Sequence, residues 1–414
     1  MNDVLPRVLF VSQTAIGTST SNRYVQLCSH LSRRGYRITL FFVGKGKAAD
    51  DARIRYPRRI QNVRVTHTPA FPTRLLGKSG ALSAALSALF LLATCIPHLV
   101  VACMRADIVV LGKPLPFGAF AVSMALLIAR KPLVLDMDDW EGVGGFATLK
   151  QGKSAFAKAV ITFFEEWLPP RSAAVVVVSR LLATRVRLMR VPEDRIFYVP
   201  NGADIEAFSP GVDGSAVRKR HELANRLVLA YLGTFKPGGA SWDFMLDAFK
   251  VVHDARQDVV LMVVGFGPGL QDAQRYAAQL GVEKRVVFAG KVEHAAVAEY
   301  LAAADILILP YTDTFPDTYV NVGRSSLKLY EYMAMGKPIV ASDIGELHES
   351  LRDGGGALAK ANTADSFARE IVALLGDAQA MQRYGAEARR RAETLYNYET
   401  LAAEFEKALK RAAT

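Results

Sequence analysis

Between Ser325 and Asp343 the chain reads SSLKLYEYMAMGKPIVASD. Two adjacent hydroxyls, the ammonium of Lys328 and the carboxylate of Glu331 fall within this stretch. The helical spacing of residues 328–334 puts Ser325, Ser326 and Leu327 at the opening of a helix. Backbone N–H groups lack intrahelical partners there, and the helix dipole favours an anion. Together with Lys328 these residues would form a diphosphate cradle. Glu331 follows Lys328 by three positions on the same helix face, where a carboxylate can accept from both hydroxyls of a ribose. The competing reading of the same residues is a capped surface helix with an ordinary Lys/Glu pair.

A second group of charged residues, Asp136-Met-Asp-Asp-Trp-Glu141, closes an apolar run. Carboxylates at the end of a strand admit a metal site, an acceptor-contacting role for Asp138 or Asp139, or helix capping ahead of Glu141. Gly265, Gly267 and Gly269 follow a strand pattern and precede a helix, so a dinucleotide fingerprint must be weighed. Its ribose-binding acid should end the next strand, yet Val286–Ala289 leads into Gly290, which argues against a nicotinamide cofactor. None of the seven histidines forms a pair at metal-ligand spacing, and His98 and His253 read as packed or surface residues.

Short apolar runs alternating with helical patterns position these groups, as in parallel sheets wrapped by helices. In the first half strands are expected at Arg7–Val11, Arg37–Val43, Val63–Thr66, Ile108–Leu111, Pro132–Asp136 and Ala174–Val178, with helices such as Asn22–Arg34 and Ser154–Trp167. The second half restarts with strands at Leu227–Leu232, Val259–Val264, Val286–Ala289, Ile306–Leu309 and Pro338–Ala341. Its helices are expected at Trp242–Arg256, Leu270–Leu280, Val297–Ala303 and Lys328–Ala334, then in a series from Ala364 onward. The alternation breaks near Val199–Arg218, giving an α/β chain of two doubly wound domains, 1–198 and 199–390. Doubly wound sheets bind ligands at their strands' carboxyl ends, so a crevice between facing halves is the expected site.

The 414 residues carry a net charge of +11, which is unevenly placed. Residues 1–195 hold 27 Lys/Arg and 12 Asp/Glu, whereas residues 196–414 hold 24 and 28. Only the first half therefore suits an anionic partner, a membrane surface or a phosphorylated acceptor. Nucleic acid is disfavoured because no aromatic-interleaved basic stripe accompanies the charge. Three cysteines at unrelated spacings fit buried thiols in a reducing compartment. No signal-peptide pattern opens the sequence, so a cytoplasmic location at the inner face of the membrane is expected. Residues 79–104 hold no charge and are long enough to span a bilayer, but Pro97 and His98 interrupt them. The favoured reading is a helix lying in the membrane interface, helped by Arg53, Arg55, Arg58, Arg59, Arg64 and Arg74. A buried crossover helix is the alternative.

The Ser325–Asp343 string resembles the nucleotide-sugar signature of glycosyltransferase family 4, glycosyl transferases group 1, whose members are retaining enzymes of the GT-B fold. Further landmarks agree in order: Val199-Pro-Asn-Gly-Ala-Asp with Phe208, Gly233-Thr-Phe-Lys, Gly265-Phe-Gly-Pro-Gly, Phe288-Ala-Gly-Lys-Val and Ala304-Asp-Ile-Leu-Ile-Leu-Pro. The likeness is strong over 195–400 and looser before it, where it rests on strand order, Gly17 and Asp107. It implies two facing Rossmann-like domains, with a C-terminal helix in 391–414 crossing back to the first. It also implies a nucleoside diphosphate sugar as donor, a glycan or lipid-linked acceptor, and no metal or other cofactor. Carried over, Glu331 takes the donor ribose, Ser325, Ser326, Leu327 and Lys328 surround the diphosphate, and the backbone near Val292 meets the base. Gly17 and Gly233 line the donor side, and Lys328, Glu331 and Lys236 carry the chemistry.

Three departures from the pattern stand out. Gly323 occupies the position eight before Glu331 where the family often has a second glutamate, leaving sugar contacts to Asn321, Val322 and Gly323. Thr234 and Ala240 stand near the usual Arg and Lys places, with Lys236 the nearest basic substitute. Lys113-Pro114 replaces a common histidine, so Lys113, Asp138 and Asp139 become the acceptor-side candidates. Two other functions suit the same architecture, a nucleotide-sugar 2-epimerase and a non-catalytic nucleotide-sugar binder.

Overall fold

The computed structural model describes residues 5–14, 17–43, 58–68, 81–149, 154–235, 242–312, 323–360 and 363–414. The chain divides into two compact units, Met1–Pro200 with Gly323–Ser325 and Tyr398–Thr414, and Asn201–Val322 with Ser326–Asn397.

The first unit contains strands β1 (Arg7–Ser12), β2 (Arg37–Phe42), β3 (Arg59–Ile60), β4 (Val63–His67), β5 (Ile108–Gly112), β6 (Leu133–Met137), β7 (Ala174–Val177) and β8 (Ile196–Tyr198). Its helices are α1 (Ser19–Arg33), α2 (Ala81–Met104), α3 (Pro116–Ala129), α4 (Phe146–Leu149), α5 (Ala155–Trp167) and α6 (Arg180–Leu188). The strands lie in the order β3-β4-β2-β1-β5-β6-β7-β8. Only the short β3 runs antiparallel to its neighbour β4. Helices cover both faces of such a sheet, which is why β5, β6 and β7 are buried at every position and read as continuous apolar runs. The order reverses between β1 and β5, and crevices that receive ligands form at the carboxyl ends of such strands.

Helix α1 is started by a capping box in which Ser21 N donates to Thr18 Oγ1 at 3.2 Å and Thr18 N donates to Ser21 Oγ at 3.0 Å. This fixed start delivers Thr20, Arg23 and Tyr24 into the interior. Helix α2 contains no charged residue, and its buried positions include Cys95, Leu99 and Cys103. It connects β4 and β5, parallel strands of one sheet, so a bilayer crossing at α2 would place two parts of that sheet on opposite sides. Counted over the described residues, no helix is long and apolar enough to cross a membrane. Helix α2 is thus a crossover packed on α3, and it also leaves Leu89, Val101 and Met104 exposed.

The second unit contains β9 (Leu227–Leu232), β10 (Val259–Val264), β11 (Val286–Gly290), β12 (Ile306–Leu309), β13 (Ile339–Ser342) and β14 (Ala357–Ala359). Its helices are α7 (Ser215–Arg220), α8 (Trp242–Ala255), α9 (Leu270–Gln279), α10 (Val297–Ala302), α11 (Leu327–Ala334), α12 (Gly345–Leu351), α13 (Ala364–Leu375) and α14 (Ala378–Thr394). All six strands are parallel in the order β11-β10-β9-β12-β13-β14, with the reversal between β9 and β12. Two apolar clusters form the core, one containing Leu329, Tyr330, Tyr332 and Met333 of α11, the other Phe244 and Phe249 of α8 with Phe367 of α13.

The last helix, α15 (Tyr398–Ala413), belongs to the first unit. It buries Tyr398, Leu401, Phe405 and Leu409 in the cluster of β1 and β2, with the Phe405 and Phe10 rings 5.5 Å apart. The chain re-enters the first unit at Tyr398, later than the expected 391, because α14 packs wholly within the second.

Candidate active site

In the second unit, the carboxyl ends of β9 and β12 carry Tyr231 and Tyr311, and α11 opens beside them. The Lys328 ammonium lies 4.7 Å from the centre of the Tyr231 ring and 5.4 Å from that of Tyr311. It also donates to Tyr231 Oη at 3.4 Å. Two aromatic faces therefore hold the cation in place. Tyr311 Oη and Ser326 Oγ share a hydrogen bond of 3.1 Å. Ser326 occupies the N-cap position of α11 and makes no side-chain capping bond, so the simple capped-helix reading does not hold. The Leu232 N–H donates to the hydroxyl of Tyr332 at 2.7 Å, tying the helix to the end of β9.

Glu331 is buried on the next turn of α11. Its Oε1 lies 3.4 Å from Nε2 of His294, whose titration this carboxylate raises chiefly through the hydrogen bond between them. Sequence spacing offered no hint of this partner, which sits after β11 and two positions beyond Val292. Val292 itself is half-buried against the core.

The glycine-rich segment has a different role from a dinucleotide fingerprint. A Cβ on Gly265 would sit 1.6 Å from the Gly233 carbonyl oxygen, and one on Gly267 2.2 Å from that of Phe235. Gly233 N donates to Val264 O at 2.9 Å and Phe235 N to Phe266 O at 3.1 Å. These glycines allow the loops after β9 and β10 to run in backbone contact, which sets the floor beside α11.

Of the donor-side expectations, Gly233, Val292, Ser326, Leu327, Lys328 and Glu331 fall in the second unit, whereas Gly17, Gly323 and Ser325 fall in the first. Gly17 lies exposed before α1 with φ of +86°, a left-handed turn that favours glycine. Gly323 and Ser325 are buried. Lys236, Asn321 and Val322 lie outside the described residues, as do Arg53, Arg55 and Arg74.

The first unit gathers a second charged cluster at its own reversal point. Lys113, just past β5, is buried and takes a left-handed backbone conformation with φ of +60°. The Gln13 side chain, past β1, holds this loop at three places. Its amide donates to the carbonyls of Lys113 (3.0 Å) and Leu115 (3.2 Å), and its oxygen accepts from Gly118 N at 2.7 Å. The Lys113 ammonium bonds Asp139, lies 3.0 Å from Glu141 Oε1 and 3.7 Å from Asp138 Oδ2. Asp138 also accepts from Thr20 Oγ1 at 2.7 Å. Arg23, fully buried, faces Asp136 at 3.5 Å and donates to Val199 O at 2.8 Å and Pro200 O at 2.6 Å.

Four carboxylates thus share two cations. Burial raises the Asp136 carboxyl to about 6 and lifts that of Asp139 as well, against the pull of Arg23 and Lys113 respectively. The alternative of helix capping ahead of Glu141 is replaced by a different arrangement. Glu165 of α5 accepts from the N–H groups of Glu141 (2.6 Å) and Gly142 (3.1 Å) and so fixes the turn that aims Glu141 at Lys113. Asp107 pairs with Arg7 at 2.8 Å at the amino end of β1, away from the loops that follow the strands.

Comparison with known proteins bears on the family and the fold. The family described as Glycosyl transferases group 1 matches residues 226–377, and the Glycosyl transferase 4-like domain matches residues 20–202. A D-inositol 3-phosphate glycosyltransferase of Nocardia farcinica is 30% identical over 213 residues, covering 49% of this chain and 45% of that protein. A GDP-mannose-dependent alpha-(1-6)-phosphatidylinositol monomannoside mannosyltransferase of Mycolicibacterium smegmatis is 28% identical over 205 residues, covering 49% and 53%. The chain's matches span about half the length of these curated relatives. Among solved structures, Anabaena HepE in complex with UDP and glucose superposes with a TM-score of 0.73 at 20% identity, over 98% of this chain and 99% of that one. Sucrose-phosphate synthase from Thermosynechococcus elongatus gives 0.75 at 17% identity, over 98% of each. These likenesses show the GT-B fold of two Rossmann-like domains. With a group 1 match on its second half and a family-4-like match on its first, the chain belongs to the family 4 glycosyltransferases of group 1.

Proposed function

We propose that this protein transfers a sugar, with retention of anomeric configuration, from a nucleoside diphosphate sugar to a glycolipid or lipid-linked acceptor. The observation that carries the reading is Lys328 held between Tyr231 and Tyr311 at the opening of α11, one helical turn from buried Glu331. The ammonium and the helix dipole would stabilise the charge growing on the departing diphosphate, which is usually the largest catalytic contribution. Glu331 would hold the ribose, with Val292 near the base and Ser325, Ser326 and Leu327 around the diphosphate. Lys236, Asn321 and Val322 complete the donor set by resemblance. The cation that the diphosphate needs is supplied by the chain, so donor binding is expected without a divalent metal.

The relatives named above are sugar transferases, which favours transfer over epimerisation. Their names include GDP-mannose as donor and phosphorylated or lipid-linked inositols as acceptors, and HepE was crystallised with UDP. The acceptor is assigned to the first unit, where Lys113 holds Asp138 and Asp139.

That unit also presents an apolar face. Leu89, Met104, Leu127, Ile128, Phe156 and Phe163 stand exposed on α2, α3 and α5, and α3 packs against both other helices. Arg105, Arg130, Lys131 and Lys158 lie within or next to these helices in sequence, and Asp107, paired with Arg7, is the single acid between residues 81 and 131. Exposed apolar area on helices with cations in or next to them suits the surface of an anionic bilayer, at the cytoplasmic face by our reading.

The direct test is transfer itself. The protein is incubated with UDP-glucose or GDP-mannose and phosphatidylinositol-containing vesicles, with EDTA or magnesium. Release of nucleoside diphosphate with an α-linked product, unchanged by EDTA, is expected. Inverted stereochemistry or strict dependence on magnesium would overturn the mechanism.

A further inference from the structure

Glu331 is 10% exposed, and its carboxylate partner His294 is 65% exposed. The imidazole is held by more than the carboxylate. Its ring meets that of Phe208 edge to face, with centroids 5.9 Å apart and planes at 76°. Phe208 is buried, so this side of the histidine rests on a fixed apolar wall. The charged groups that face the ring are Glu331 from α11 and Asp204 from the segment after β8, both acidic. His294 lies in the short turn His294–Ala296, close behind Val292, and all these residues belong to one unit.

We propose that His294 is a positioning residue of the donor site, a protonation-dependent latch that occupies the Glu331 carboxylate until a ribose displaces it. The proposal rests on the donor-site reading above and adds a regulation to it. With Glu331 10% exposed and its Oε1 3.4 Å from the far more exposed His294, the imidazole and a ribose would compete for the same carboxylate. When the ring is protonated it forms a charge-assisted bond to Glu331, and the ribose hydroxyls must compete with it. When the ring is neutral the bond is weaker and the carboxylate is released to accept from the ribose. The bond to Glu331 first, and Asp204 further, raise the His294 titration above that of a free imidazole.

Two ligands of one base separate this effect from titration of the phosphates. The dissociation constants of UDP and 2′,3′-dideoxy-UDP, or of the guanine pair, are measured on the full chain from pH 5.5 to 8.5. Phosphate titration is common to both ligands, so the ratio of their constants reports the ribose contacts. In the native protein the preference for ribose is expected to fall by up to about tenfold per pH unit below the histidine's titration, the limit for one coupled proton. In His294→Gln the ratio should be flat and the acid-side preference restored. A flat ratio in the native protein, the native slope in His294→Gln, or a preference for ribose that grows toward acid would each overturn the latch. If neither nucleotide pair binds at any pH, the donor site fails and the latch with it. Binding with a ribose preference that ignores pH removes the latch alone.

Discussion

Lys113 and Lys328 are both lysines just beyond sheet edges where strand order reverses, but their surroundings ask different things of them. Lys328 is partly exposed and leans on aromatic faces. Lys328→Ala should leave the fold intact and lower kcat by roughly a hundredfold, the usual loss for one preorganised donor at a developing oxyanion. Steady-state kinetics alongside a thermal melt would check that split, and a loss confined to KM would place Lys328 outside the chemical step. Lys113 is buried among Asp138, Asp139 and Glu141, and its removal leaves those carboxylates without their cation. Lys113→Met is expected to destabilise the protein by ~4 kcal/mol, within the range for breaking a buried ion pair. Urea unfolding measures this, and unchanged stability would mean that the carboxylates are solvated or already protonated.

At the level of elements, the turn after β6 depends on Glu165, whose carboxyl burial raises to about 7. A raised acid stabilises the folded state fully below its unfolded value and loses that contribution as pH climbs through the folded one. Stability should therefore fall between about pH 4.5 and 7, by about 3 kcal/mol for this single group. Glu165→Gln should flatten that fall, as followed by denaturant midpoints across the window, and an unaltered slope would assign the titration elsewhere. The floor beside α11 depends on Gly265, where an added Cβ would collide with the Gly233 carbonyl. Gly265→Ala is expected to cost about 2 kcal/mol or more, since backbone must move on both sides.

Most of these elements were legible in sequence. Leu227–Leu232, Val259–Val264 and Ile306–Leu309 begin and end where their apolar runs do. The exceptions have physical causes. Helix α3 is apolar on every side, packing on α2 and α5 while leaving Leu127 and Ile128 exposed, so no amphipathic period marks it. Strands β8 and β14 have three residues each and give too short a pattern. Within the site, Lys328 and Glu331 were readable because their spacing is local. His294 beside Glu331, Gln13 clamping Lys113, and Glu165 beneath Glu141 are long-range contacts that only the parallel topology creates.

At the scale of the whole molecule, two Rossmann-like units divide the work by charge and surface. The basic first half carries the apolar helices suited to a bilayer, and the acidic-leaning second half carries Lys328 and Glu331. Leu127→Glu combined with Ile128→Glu should abolish sedimentation with anionic vesicles while nucleotide binding persists, and unchanged sedimentation would exclude this face. The assignment of sugar transfer itself turns on whether α11 receives a nucleotide. Thermal stability of the native protein and of Glu331→Ala should be compared with UDP, GDP, ADP, CMP and NAD, each with and without magnesium. A ligand held by the folded state alone contributes about 4 kcal/mol at roughly 1,000 times its dissociation constant. One nucleoside diphosphate raising the melting temperature without magnesium, and failing to do so in Glu331→Ala, is the predicted result. Stabilisation by none of them, or by NAD alone, would contradict it.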